Sequence, residues 1–245
     1  MLSPLATGIT ATLGSAAALG LAAGGCAYAA LWPTSQLFGA TLTAPRTPGQ
    51  LALTFDDGPN PAWTPRLLDI LAEHSVHATF FLVGQFAQAE PALVRRLVNA
   101  GHLVGNHSFT HPNLARTSAA EIRRQLARTS DTLSQITGQP VRFFRPPFGA
   151  RRPATLRIAR SLGLIPVTWN AMTNDWAEPS AQRIASALQH KVETNHRRGF
   201  ASNIVLHDGG HLGLGANREP SVTAAGLLLA RLAKTHTFVT LDKWT

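Results

Sequence analysis

From Leu51 onward, short apolar runs alternate with stretches whose apolar residues recur at helical spacing. The runs at 51–55, 78–83, 103–106, 141–145, 165–169, 203–207 and 238–241 read as strands. The intervening stretches read as helices. Leu67, Leu68, Ile70 and Leu71 form a stripe after Thr64, and Pro91 opens a helix that Gly101 stops. Ser118 with Glu121 is a capping box for a helix ending near Gly138. Pro153, Ser180 and Ser221 open three more. This alternation predicts an α/β fold, with parallel strands and helices outside. Seven strands suggest a barrel, but spacing alone does not decide closure.

Before this pattern the chain is different. Residues 2–31 are mostly Ala, Leu, Gly and Thr, and the first charged side chain is Arg46. That run is long enough to cross a bilayer. It is expected to direct the chain to a membrane, as a signal anchor or as a signal peptide cut near Ala27-Tyr28-Ala29. Segment 1–31 is thus set apart. Residues 32–49, with Pro33, Pro45 and Pro48, read as a loosely packed linker, and 50–245 as one catalytic domain.

Composition narrows the partners. The formal charge is +9, from 22 Lys plus Arg against 13 Asp plus Glu. A basic surface suits an anionic partner such as a cell-wall polymer or a lipid headgroup. No nucleic-acid-binding module is present in the sequence, so nucleic acid is not expected as a partner. Cys26 is the single cysteine, which excludes an intrachain disulfide.

The candidate chemistry sits at strand ends. The first run ends in two adjacent carboxylates, Asp56 and Asp57, followed by Gly58-Pro59. Like charges repel, so folding alone gives no reason for the pair. A divalent metal would compensate them, with one carboxylate as ligand and its neighbour free as a base. His107 and His111 are four residues apart and could aim both imidazoles from one helical turn at one ion. Asp57, His107 and His111 form the expected triad. Zinc is the default ion, and cobalt, nickel or manganese would also suit the set. Arg145 lies between Phe143-Phe144 and Pro146-Pro147, too constrained for a flexible surface arginine. Asp175 and His207 also fall at or just after predicted strand ends. A bare H-x-x-x-H pair is more often two surface residues, and a lone strand-end His is more often a satisfied polar group. The weight therefore rests on the combination.

In their order along the chain these residues resemble the motifs of the polysaccharide deacetylases of the NodB-like type. The matching stretches are Thr54-Phe55-Asp56-Asp57-Gly58-Pro59, His107-Ser108-Phe109-Thr110-His111, Arg145-Pro146-Pro147-Phe148-Gly149, Asp175-Trp176 and Val205-Leu206-His207-Asp208. The resemblance covers roughly residues 50 to 244. Three positions depart from the pattern. Phe148 stands where Tyr is frequent, Met172 where a second acidic residue is usual, and Val205 where Leu is usual.

The resemblance implies a distorted, TIM-barrel-like (β/α) barrel of about seven strands, with active-site groups at one end. It implies Asp56 as the base that takes a proton from the attacking water, with Arg145 holding that carboxylate in place. A backbone N–H at Phe148 would steady the oxyanion. His207, oriented by Asp175, would protonate the leaving amine. Trp176 would form a wall against a sugar face, although plain core packing is an equal reading for an indole. The loop 209–215 reads as a mobile rim, with His211 a minor substrate-facing candidate. Arg151-Arg152 could touch an anionic polymer, but such pairs are mostly solvated.

The expected activity is metal-dependent removal of N-acetyl groups from a GlcNAc-containing glycan, peptidoglycan or chitin-like. Its location would be membrane-anchored or secreted, and a monomer is favoured. Two alternatives are an O-acetyl esterase acting on xylan-like glycans and a non-catalytic glycan-binding protein.

Overall fold

The computed structural model describes residues 24–245, so the expected membrane-directing run lies largely outside the described residues. A helical stretch at 24–31 (α1) leads in. The strands are β1 (Gln50–Gly58), β2 (Thr79–Leu82), β3 (Leu103–Asn106), β4 (Phe143–Phe144), β5 (Ile165–Pro166), β6 (Ala171–Met172), β7 (Ser202–His207) and β8 (Thr237–Phe238). The helices are α2 (Thr64–Glu73), α3 (Gly84–Ala89), α4 (Pro91–Asn99), α5 (Ala119–Thr137), α6 (Pro153–Ser161), α7 (Ala181–Arg197) and α8 (Glu219–Leu232). Among the described residues, no helix is long and apolar enough to cross a membrane.

Every strand pairing is parallel, in the order β5-β4-β3-β2-β1-β7-β6, with β8 beside the start of β1. No ladder joins β5 to β6 among the described residues. At that edge only an isolated bridge pairs Leu42 with Val167. The sheet therefore curls into an open barrel, in agreement with the distorted barrel that the motifs imply.

β1 shows why. Its residues are buried on both faces, as a central parallel strand requires. Leu51, Leu53 and Phe55 face outward into the layer under α2, α4, α7 and α8. Ala52 faces inward, with Phe81, Phe143, Val167 and Leu241. The side-chain period of two then aims Thr54 and Asp56 into the barrel as well. Phe55 stacks on Phe80 at 5.1 Å between centroids. Burying each such side chain contributes roughly 1.5–3 kcal/mol.

Several local expectations need correction. The helix at the C-terminal end begins at Glu219 with Pro220 in its first turn, rather than at Ser221. The Ser221 hydroxyl is instead spent on Asp175. Helix α3 and strand β6 carry too few residues to show a period.

The stretch read as a loose linker is tied down. Arg151 is fully buried, not solvated or available to a polymer. Its Nη2 donates to the carbonyls of Trp32 and Ser35 at 2.7 and 2.8 Å, and its Nη1 to that of Gly149 at 2.9 Å. Farther along, Thr41 and Thr43 both bond to Thr168. This N-terminal strap covers the gap between β5 and β6.

Candidate active site

The barrel's C-terminal end collects the chemistry. Asp56 ends the inward row of β1 and pairs with Arg145, Nη1 to Oδ1 at 2.7 Å. Arg145 also donates to Thr54 Oγ1 at 2.8 Å and to Asn203 Oδ1 at 3.2 Å. Its guanidinium lies over the Phe81 ring, 4.1 Å from the centroid. Burial pulls the Arg145 pKa down, and Asp56 pulls it back toward its ordinary range.

Asp57 breaks the alternation, with a left-handed φ of 69°. Its Oδ1 lies 3.1 Å from His111 Nε2 and 3.5 Å from His107 Nε2. The two histidines do not share a helical turn. They lie on the loop after β3, where Ser108 and His111 have φ of 62° and 56°. That left-handed backbone turns the second imidazole back toward the first, with ring centroids 4.9 Å apart. With Asp57 and Phe148, four of the five non-glycine residues with positive φ among the described residues fall in or beside the site. Non-glycine residues held there carry strain of about 1–3 kcal/mol each, which the surrounding fold must offset.

The three residues fit a metal. Their donor atoms lie within 4.8 Å of one another. A tetrahedral edge for bonds of about 2.0–2.1 Å is about 3.3 Å, and the two observed separations straddle it. Asp57 Oδ1 is buried without a hydrogen-bond partner. His107 Nδ1 donates to the Arg145 carbonyl at 2.8 Å, leaving Nε2 with its lone pair toward the cluster. Burial alone would raise the Asp57 pKa, but His107, His111 and His211 hold it well below the usual carboxylate range. Burial, partly opposed by Asp57, lowers His111, which favours the neutral, ligating form.

His207 closes β7. Its Nδ1 donates to Asp175 Oδ1 at 2.9 Å, and its backbone N–H donates to Asp175 Oδ2 at 2.8 Å. Burial pulls His207 down, but the Asp175 charge and hydrogen bond outweigh it, and the pKa rises to about 9. Its neighbour Asp208 is buried against the Thr64 hydroxyl, and burial pushes it up to about 7.

A cavity of about 380 Å³ joins these groups. Asp56, Asp57, His107, His111 and His207 line it, with Phe148, Trp169, Met172, Trp176, Val205, His211 and Arg218. Trp176 is 46% exposed and edge-on to His207, so it is a wall and not core. Phe148 is 52% exposed and has a φ of 58°. The N–H groups of Gly149 and Ala150 are used in turn bonds, while no carbonyl among the described residues takes that of Phe148.

All nine expected site residues therefore meet at one end of the barrel: seven line the cavity, with Arg145 and Asp175 bonded directly behind Asp56 and His207. Sequence reasoning underrated His211 and passed over Arg218. His211 stacks on His111 at 4.6 Å, with Nδ1 3.7 Å from Asp57 Oδ2. The available signal was Gly209. A Cβ there would sit 2.0 Å from the Asp57 carbonyl oxygen, so only glycine lets this loop cross the end of β1.

An open parallel barrel with an Asp-His-His cluster and a paired strand-end histidine defines a metal-dependent hydrolase site. The polysaccharide deacetylase family model matches residues 43–167. A Bacillus cereus peptidoglycan-N-acetylglucosamine deacetylase is 37% identical over 205 residues, 81% of this chain and 69% of that relative. An Azorhizobium caulinodans chitooligosaccharide deacetylase is 40% identical over 158 residues, covering 64% of this chain and 72% of the relative. Among solved structures, the peptidoglycan N-acetylglucosamine deacetylase Bc1960 in complex with an N-oxidanyl-benzamide superposes with a TM-score of 0.73. It is 35% identical over 83% of this chain and 91% of that one. The chain belongs to the polysaccharide deacetylase family.

Proposed function

We propose that the protein hydrolyses N-acetyl groups on a GlcNAc-containing glycan, of the peptidoglycan or chitin type, with zinc as the ion. The observation that carries this reading is that one cavity holds both the Asp57-His107-His111 cluster and the Asp175-held His207. Named relatives act on both glycan types. Asp57, His107 and His111 would hold the ion, which when bound polarises an acyl oxygen and acidifies water.

The protein's own groups do the rest. Asp56, held in place by Arg145, accepts the proton of the attacking water. The Phe148 N–H donates to the acyl oxygen as it gains charge. His207, protonated below about pH 9, gives its proton to the departing nitrogen, and Asp175 steadies the cation. Trp176 offers its face to a sugar ring. An ester needs less such help, because an alkoxide leaves more easily than an amide anion, so a strongly held imidazolium favours amide over ester chemistry. The filled catalytic positions argue against a purely binding role.

The test is acetate release from chitooligomers, peptidoglycan strands and acetylated xylan, each with zinc and with chelator. Chelator-sensitive release from the N-acetylated glycans is expected. Release from xylan alone would refute amide chemistry, and full activity in verified metal-free protein would refute the metal.

For the N-terminus, we propose membrane direction, with the catalytic domain outside the cytoplasm. Tyr28, Leu31, Trp32 and Leu37 are large, exposed and apolar, and Tyr28 stacks on Trp32. Aromatics of this kind favour the bilayer interface. Full-length chain recovered uncleaved from the cytosolic fraction would overturn this proposal.

A further inference from the structure

Charge accounting in the cavity leaves one group over. Asp56 is committed to Arg145, and Asp57 to the imidazoles. Met172 and Val205 add apolar wall. Arg218 also lines the cavity, yet no carboxylate among the described residues lies within ion-pair distance of it. It is not a loosely waving side chain. Its Nε donates to the Gly209 carbonyl at 2.6 Å and its Nη1 to the Asn217 carbonyl at 3.0 Å. Nη2 makes no hydrogen bond among the described residues. It lies alongside Gly210, where an added Cβ would come within 3.0 Å of it. A guanidinium pinned through two nitrogens, with the third unpartnered, is preorganised for an oxyanion.

We propose that Arg218 is a specificity-determining residue that recognises a carboxylate on the glycan, so the enzyme prefers strands whose sugars carry a free acid beside the N-acetyl group. That inference rests on the deacetylase reading and deepens it. Within that reading it selects an acidic glycan whose sugars keep free carboxyls, such as muramic-acid strands without attached peptide, over a neutral chitin-like one. The neutral parts of the cavity serve the sugar: Trp176 and Phe148 are exposed rings suited to pyranose faces. They do not distinguish acidic from neutral glycans, whereas Arg218 does. A purely structural role for Arg218, holding the loop after β7, predicts equal effects on all substrates.

The experiment uses zinc-loaded protein and two oligomers that differ only at the sugar carboxylate, one a free acid and one its methylamide. The wild type is expected to favour the free acid by about tenfold in kcat/KM, the scale of a hydrogen bond to a charged group. Arg218→Gln should bring that ratio close to one, and Arg218→Lys should keep part of it. The ratio cancels any shared loss from a disturbed loop. A wild type indifferent to the carboxylate would overturn the proposal. So would a Gln variant that slows on both oligomers and keeps the wild-type ratio. No acetate from either oligomer or from chitooligomers would overturn the deacetylase reading itself, and this proposal with it. Release from chitooligomers with neither acidic oligomer nor methylamide cleaved would overturn the carboxylate preference alone.

Discussion

Arg145 Nη1 meets Asp56 Oδ1 at 2.7 Å inside the barrel, and both side chains are at most 5% exposed. The arginine also serves Thr54 and Asn203, so it closes a buried polar network and does more than neutralise one charge. Breaking one side of a buried ion pair is costly because the other charge stays behind. Arg145→Ala should therefore cost about 3–5 kcal/mol of stability. Urea unfolding measures this directly. A loss under about 1 kcal/mol would mean that the network relaxes and that Asp56 is not held by it.

Base and ligand should separate by metal content. Asp56→Asn keeps the Asp57-His107-His111 cluster intact and should retain zinc while losing about 10²–10⁴-fold in rate. Asp57→Ala removes the carboxylate nearest both imidazoles and should lose the metal itself. Elemental analysis of both variants decides the matter. The reverse pattern would exchange the two roles.

Much of this site was legible because parallel strands deliver their ends to one place. Asp56 and His207 lie at the ends of β1 and β7, His107, Arg145 and Asp175 follow β3, β4 and β6, and ordered motifs at strand ends already imply a shared face. What sequence could not carry was backbone that departs from regular periods. The His107–His111 pair sits on a left-handed loop, which spacing of four residues mistook for a helix turn. Arg151 looked like half of a surface pair because its partners are carbonyls more than a hundred residues away. Backbone carbonyls leave no trace in composition. Arg218 was missed for a related reason: a lone cation becomes informative only once the cavity's carboxylates are accounted for.

The N-terminal strap should matter to activity. Arg151 links the Trp32 and Ser35 carbonyls to that of Gly149, next to the left-handed Phe148. A chain beginning at Thr47 leaves most of the buried guanidinium's acceptors missing, at roughly 1–3 kcal/mol for each unsatisfied bond. It should unfold at lower urea than a chain beginning at Gly24 and lose most of its deacetylase rate even where folded. Equal rates and equal midpoints for the two chains would show the strap to be loose, as composition suggests for the linker at 32–49.

The pH profile should separate amide from ester chemistry at His207. Asp175 raises the pKa of this buried imidazole to about 9, so His207 carries its proton through neutral pH. A bound divalent cation adds positive charge nearby and moves that value down, never up. Deacetylation of chitooligomers should thus fall on an alkaline limb no higher than about pH 9, as the acid loses its proton. An activated aryl acetate needs no protonation of its leaving group, so its hydrolysis should lack that limb. His207→Ala should lose about 10²-fold or more on chitooligomers, because the amine then departs unprotonated. The same variant should lose much less on the aryl acetate, since Asp56, the metal ligands and the Phe148 N–H are untouched. Equal losses on both substrates would assign His207 to maintaining the site's geometry. A retained alkaline limb in the variant would place the titrating acid elsewhere, with His211 on the adjoining loop the next residue to replace.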